Sequence, residues 1–187
     1  MVKRNACIFI SGNGSNLKSL IKNSRNYNFP INIKLIISNN ANAKGISYAK
    51  INSIPYLIIN TKKREFENLI LNELRKYKIS VICLAGYMKV LSKGFINNFK
   101  NIIINIHPSL LPKFKGLNTF ERVFKNKEKK TGCTVHFVNE KLDAGKIIIQ
   151  KNFFIDTADC VVTLREKTQV LEHKAFSEAI IKIFRCN

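Results

Sequence analysis

Three isoleucines in a row, Ile102-Ile103-Ile104, lead straight into Asn105-Ile106-His107-Pro108. An unbroken β-branched run suits a strand covered on both faces, as in sheets that carry helices on either side. Side chains alternate along a strand, so Asn105 and His107 share one face while Ile106 takes the other. Pro108 has no N–H to donate and cannot continue inside a sheet, so the strand is expected to stop there. An amide and an imidazole then sit together at the carboxyl end of a strand, where open α/β sheets bind ligands. Two readings stay open for these residues taken alone: a reactive pair, or a hydrogen-bonded structural histidine beside a turn-forming asparagine.

Apolar runs and amphipathic segments alternate along the rest of the chain. Strands are expected at residues 6–11, 33–38, 56–59, 81–84 and 102–105, with helices at 15–22, 43–51, 63–76 and 92–98. Strands separated by helices of this length imply βαβ units and a parallel sheet. After Pro112 the pattern changes: residues 131–138 and 146–154 read as two strands around the turn-like 139–145, an antiparallel extension. A last helix over 162–184 offers Leu164, Val170, Leu171, Ile180 and Ile183 to the core. With 187 residues, no internal repeat and no low-complexity linker, one α/β domain over 1–187 is expected, a mostly parallel central sheet with flanking helices.

Composition narrows the function classes. The chain is 45% hydrophobic and 24% charged, an ordinary globular balance. No apolar stretch approaches the roughly 18 residues of a membrane helix. The start, Met1-Val2-Lys3-Arg4-Asn5, runs into a strand-like segment without a small-residue cleavage pattern, so no signal peptide is expected. Five scattered cysteines without a C-x-x-C pair suit reduced thiols in a cytoplasmic protein and give no metal site. A formal charge of +20 raises the question of nucleic acid. The lysines are nevertheless spread among abundant Asn and Ile, and the one dense run, Lys125-Asn126-Lys127-Glu128-Lys129-Lys130, reads as a solvated loop. Small anionic molecules are the partners such a diffuse field suits.

Two further segments carry chemistry. Ser11-Gly12-Asn13-Gly14-Ser15-Asn16 follows the first strand and opens a helix. Its glycines permit close backbone approach, Ser15 or Asn16 can cap, and helix amides attract a phosphate. No Gly-Lys-Ser/Thr follows and the third glycine of a dinucleotide fingerprint is missing, which leaves a monophosphate cradle or a plain tight turn. Asn139-Glu140-Lys141-Leu142-Asp143-Ala144-Gly145 offers a carboxylate in a hairpin-like loop, where Asp also serves as a turn former.

Taken in order and spacing, Ile10 to Leu17, Leu84-Ala85-Gly86-Tyr87-Met88, Asn105 to Pro112, Val135-His136-Phe137-Val138 and Leu142-Asp143 give a chain that resembles phosphoribosylglycinamide formyltransferase over residues 6–184. The resemblance implies a Rossmann-like formyltransferase fold. It also implies transfer of a formyl group from 10-formyltetrahydrofolate, as cosubstrate and without a metal, to the amine of glycinamide ribonucleotide in purine biosynthesis. The implied catalytic trio falls on Asn105, His107 and Asp143. The phosphoribosyl group is implied to rest on Gly12, Asn13, Gly14, Ser15, Asn16 and Leu17, and on Gln169, Val170, Leu171 and Glu172. Folate contacts are implied at Met88, Lys89, Val90 and Leu91, at Asn105, and at Asn139, Glu140, Lys141, Leu142 and Asp143. The basic residue for the folate carboxylates is expected at Arg64, with Lys63 favoured by an ungapped match from the following strand.

The chemistry asks for such a trio. Attack on a formyl carbon builds negative charge on oxygen, and each donor aimed at that oxygen is worth about 2.7–4 kcal/mol. Asn105 supplies an amide N–H and protonated His107 a charged one. Asp143 is expected to raise the histidine pKa toward the working pH, and the proton the leaving nitrogen needs is expected from His107 or from a water held by Asp143. His136 reads as packed or supporting, and His173 as helical surface or a residue behind the site. Three departures stand out: Ala144 where the family commonly has glycine, Lys89 in place of the more usual arginine, and an end soon after the last helix. The alternatives are a methionyl-tRNA formyltransferase, which shares the Asn, His and Asp set, and a non-catalytic nucleic-acid or phosphate-binding module. A monomer or homodimer is expected.

Overall fold

The computed structural model describes residues 2–62 and 65–185. Seven strands, β1 (Arg4–Ile10), β2 (Ile31–Ser38), β3 (Tyr56–Ile58), β4 (Val81–Leu84), β5 (Ile102–His107), β6 (Lys130–Phe137) and β7 (Ile147–Phe154), form one sheet in the order β3-β2-β1-β4-β5-β6-β7. The first five are parallel to one another, and β6 and β7 add on antiparallel. The helices are α1 (Ser15–Ser24), α2 (Ile46–Ile51), α3 (Phe66–Lys76), α4 (Lys93–Asn98), α5 (Thr119–Lys125) and α6 (Val161–Arg185). From β1 the chain winds outward through β2 and β3 on one side, then returns to β4 and β5 on the other. The carboxyl ends of β1 and β4 therefore flank a switch point, where the crossovers part and leave a crevice.

Both faces of the sheet are covered, which is why its strands read as continuous apolar runs. Ala6, Ile8 and Ile10 of β1 join one core with Leu17 and Leu20 of α1 and with Ala175, Phe176, Ala179 and Ile180 of α6. Cys7 and Phe9, pointing the other way, join Ile70 and Leu74 of α3 and Phe95 of α4. A fully enclosed side chain such as Phe176 contributes about 1.5–3 kcal/mol by burial. No helix among the described residues is long and apolar enough to cross a membrane.

The alternation of strands and helices matches the expectation, with boundaries shifted for physical reasons. The helix expected over 43–51 starts at Ile46, because the backbone just before it makes a turn (Ala43 N to Asn40 O, 3.2 Å) and docks on the first loop (Gly45 N to Gly12 O, 3.0 Å). The strand expected to end at Asn105 runs on to His107, since β6 lies antiparallel beside it and pairs Asn105 with His136 and His107 with Thr134. Val170 was expected on the buried side of the last helix and is 55% exposed; Leu164, Thr168, Ala175 and Ala179 form that side. The helix expected over 63–76 is described from Phe66 onward, and Lys63 and Arg64, with the expected folate-carboxylate contact, lie outside the described residues.

Candidate active site

At the switch point the loop after β1 turns into α1 through Gly14, whose φ of 73° is open to glycine. A Cβ there would come within 2.7 Å of Gly45 Cα, so the close loop-to-loop approach also demands glycine. A Cβ at Gly12 would meet nothing within 4 Å, leaving that face of the turn open to a ligand. No side chain caps α1: Gly14 occupies the cap position, where Ser15 or Asn16 was the expectation. The polar side chains are used elsewhere, Ser15 Oγ accepting from Gln169 Nε2 at 2.9 Å and Asn16 Nδ2 donating to Glu172 Oε2 at 2.8 Å. The first amides of α1 thus keep the arrangement that attracts an anion.

α6 presents Gln169 and Glu172 to this turn because three residues along a helix return to nearly the same face. Burial pushes the Glu172 carboxyl up to about 7, against the hydrogen bond from Asn16 that favours its charged form. Val170 and Leu171 do not line the crevice, the first pointing to solvent and the second packing on the core. Leu17, expected at the cradle, is fully buried in the core and does not line the crevice.

The second wall comes from the segment after β4. Met88 N donates to Ser11 Oγ at 2.8 Å, tying this segment to the first turn. Met88 and Val90, each 65% exposed, line the crevice with Leu117 and Leu142, while Leu91 is buried beneath. Large apolar side chains left open along one crevice mark a ligand-binding groove. Lys89 is exposed at the same rim, next to Met88.

The third wall holds the polar trio. Asn105 and His136 face each other across β5 and β6, with Asn105 Nδ2 3.2 Å from His136 Nε2. His136 Nδ1 lies 2.8 Å from the Phe137 carbonyl, an acceptor, so Nδ1 carries the proton and Nε2 accepts from Asn105. That fixes which end of the Asn105 amide faces Asp143, whose Oδ1 is 3.4 Å from Nδ2. His107 Nε2 is 2.9 Å from the Phe114 carbonyl and its Nδ1 is 3.4 Å from Asp143 Oδ2. Asp143 reaches the strand ends from the loop between β6 and β7, in a left-handed conformation with φ 46°, and accepts from Gly116 N at 2.9 Å.

The loop is folded back by Gly145, where a Cβ would sit 1.7 Å from the Phe137 carbonyl oxygen, and by the Phe137 N to Lys146 O bond of 3.0 Å. Ala144 is exposed and lies outside the left-handed region, so alanine in place of glycine leaves the loop shape intact. Asn139 and Lys141 form the turn before Asp143, Lys141 N donating to Asn139 Oδ1 at 3.0 Å. Glu140 anchors the loop to α4 through Lys93 Nζ at 3.0 Å and Asn97 Nδ2 at 3.2 Å.

The titrations depart from expectation in one respect. Burial lowers the His107 pKa below its ordinary value, outweighing the Phe114 carbonyl and the Asp143 carboxylate that raise it; an upward shift was expected. The ring is 5% exposed, and the cost of enclosing a charge wins over a carboxylate at this distance. For Asp143, burial acts upward, but the hydrogen bond from the Gly116 amide and the positive charge that His136 and His107 carry when protonated together hold its carboxyl below the usual range. Asp143 is therefore ionised at neutral pH beside an imidazole that takes up a proton reluctantly.

These walls enclose a cavity of about 790 Å³ lined by the cradle, the apolar rim and the trio. The structure brings Asn105, His107 and Asp143 together across 38 residues of chain. Sequence reasoning missed the anchors from Phe114 and Gly116 and the cavity-lining Arg165, because the folds of the 113–118 loop and of α5 against α6 leave no periodic trace.

Residues 4–180 match the family described as formyl transferase. The trifunctional purine biosynthetic protein adenosine-3 of Homo sapiens is 41% identical over 182 residues, which are 95% of this chain and 18% of that one, so the chain spans under a fifth of that relative. Phosphoribosylglycinamide formyltransferase of Bacillus subtilis (strain 168) is 35% identical over 184 residues, 96% of this chain and 94% of that one. The crystal structure of phosphoribosylglycinamide formyltransferase from Anaplasma phagocytophilum superposes with a TM-score of 0.92 at 36% identity, covering 98% of this chain and 88% of that one.

Proposed function

This chain belongs to the formyl transferase family, and from that premise we propose that it transfers the formyl group of 10-formyltetrahydrofolate to the amine of glycinamide ribonucleotide. The observation that carries the reading is the convergence of Asn105, His107 and Asp143 between an uncapped helix start and an apolar rim. A phosphate on the amides of α1 and ribose hydroxyls at Glu172 would lay the substrate's amine toward the trio. The pterin ring would lie along Met88, Val90, Leu117 and Leu142, with Lys89 and Lys141 offering charge to the anionic tail. The relatives named for this activity favour it over the tRNA-formylating alternative.

In the reaction the amine nitrogen bonds to the formyl carbon, the bond from that carbon to the folate nitrogen breaks, and the proton lost by the amine ends on the folate nitrogen. Negative charge gathers on the formyl oxygen in between. Of the two Asn105 N–H groups, the one toward His136 is well placed at 3.2 Å and the one toward Asp143 is long at 3.4 Å. The second is the donor free to turn to the oxyanion. His107 keeps Nε2–H on Phe114 O, so Nδ1 is its working atom, taking up the amine's proton next to Asp143 and giving it to the departing nitrogen. The low native affinity of His107 for a proton suits this transient role, because a ring that held the proton firmly would not release it.

The test follows the folate product spectroscopically in purified protein with and without glycinamide ribonucleotide. Turnover that depends on the ribonucleotide and saturates with it is expected. Equal folate deformylation in its absence, or none in its presence, removes the reading.

A further inference from the structure

We infer that Arg165, which pairs with Glu121 and stacks on Phe120, is a second ligand for the substrate's phosphate. The inference rests on the proposed ribonucleotide substrate and adds a side-chain cation to the backbone cradle. Arg165, Gln169 and Glu172 fall at i, i+4 and i+7 on α6 and all line the cavity, so they form one row along the first turn. Gln169 touches Ser15 and Glu172 touches Asn16, which fixes the direction of that row against the start of α1. The Glu172 carboxyl, a hydrogen-bonding group with no cation beside it among the described residues, suits hydroxyl groups better than a phosphate. Arg165 stands one turn further along the helix, where a phosphate held by the first amides of α1 would meet it.

Among the described residues, Arg165 is the one Lys or Arg lining this half of the cavity; Lys89 and Lys141 belong to the apolar rim. A phosphate bound by amides alone keeps most of its charge, and a planar guanidinium meets it with two parallel bonds. Arg165 Nη2 now lies 3.4 Å from Glu121 Oε1, and its guanidinium carbon 5.5 Å from the centre of the Phe120 ring. Both side chains of the ion pair are more than half exposed, at 61% and 51%, so the pair is weak and easily exchanged. The stacked ring holds the guanidinium beside the cavity.

Two variants move in opposite directions. Arg165→Met is expected to raise KM for glycinamide ribonucleotide about 10-fold to 100-fold at nearly constant kcat, as loss of a charge-assisted contact does. Arg165→Lys is expected to recover part of this. Glu121→Gln, which frees the guanidinium, is expected to lower KM. Binding of the dephosphorylated riboside, measured by calorimetry, is expected to be the same in wild type and Arg165→Met. An Arg165→Met protein with unchanged KM, or one that loses riboside and ribonucleotide affinity equally, overturns the assignment while the functional reading stands. A wild-type protein that never uses the ribonucleotide overturns both.

Discussion

Burial lifts the Glu172 carboxyl from 4.5 to about 7, so between these values the folded chain holds a proton that the unfolded chain has lost. A raised carboxyl pKa makes the folded state bind more protons, and stability then falls as pH climbs through this window and levels off above it. Glu172→Gln removes the titration while keeping a hydrogen-bonding group beside Asn16. The drop in thermal midpoint between pH 5 and pH 8, read by calorimetry, is expected to be smaller in the variant; identical pH slopes would show that the carboxyl is not perturbed. At this scale the sequence was informative where a polar group stood out from its surroundings. Asn105 and His107 interrupt an isoleucine strand, and Asp143 sits among turn formers. His136 could be read only as packed or supporting, because its role comes from standing opposite Asn105 in an antiparallel register. The direction of the His107 shift does not show in the sequence, since the depth of enclosure depends on the 113–118 loop folding over the ring.

Among the elements, the loop between β6 and β7 matters most, since it carries Asp143 to strand ends that its neighbours in sequence do not reach. Gly145 makes the fold-back possible: an added methyl would lie 1.7 Å from the Phe137 carbonyl oxygen, a backbone atom that cannot move alone. Gly145→Ala is expected to shift the loop, lower unfolding free energy by about 1–3 kcal/mol and reduce kcat at least tenfold, because overpacking against backbone displaces what is attached to it. Chemical denaturation and steady-state rates check it, and a variant with wild-type kcat would show that Asp143 does not depend on this turn. The strands and most helices were legible from apolar periodicity. What could not be read were the helix starts: α2 begins late because residues 43–45 serve the first turn, and α1 has a glycine cap because both of its polar candidates reach to α6.

Across the whole molecule, the +20 charge is spread along the sequence among Asn and Ile, a diffuse field that suits the two anionic ligands proposed for the cavity. A diffuse positive field speeds the encounter with small anions and is screened by salt over about 10 Å at 0.1 M. Raising ionic strength from about 0.02 to 0.3 M is expected to lower kcat/KM for the ribonucleotide several-fold with little change in kcat; a salt-independent kcat/KM would make the charge irrelevant to catalysis. The parallel sheet and its antiparallel extension were legible at this scale, as the composition of the strands encodes burial on both faces. The position of the crevice follows from strand order, which places the loops after β1, β4 and β5 beside one another.

Asn105, His107 and Asp143 are proposed to act as one unit on the formyl group. Single-turnover formyl transfer in Asn105→Ala, His107→Ala, Asp143→Ala and the paired variants tests it most directly. Each single change is expected to slow transfer about 10²-fold to 10³-fold with ribonucleotide affinity kept, and each pair to be little worse than its more damaging member. Losses that multiply in the pairs, or a single variant that transfers at the wild-type rate, would contradict a shared role.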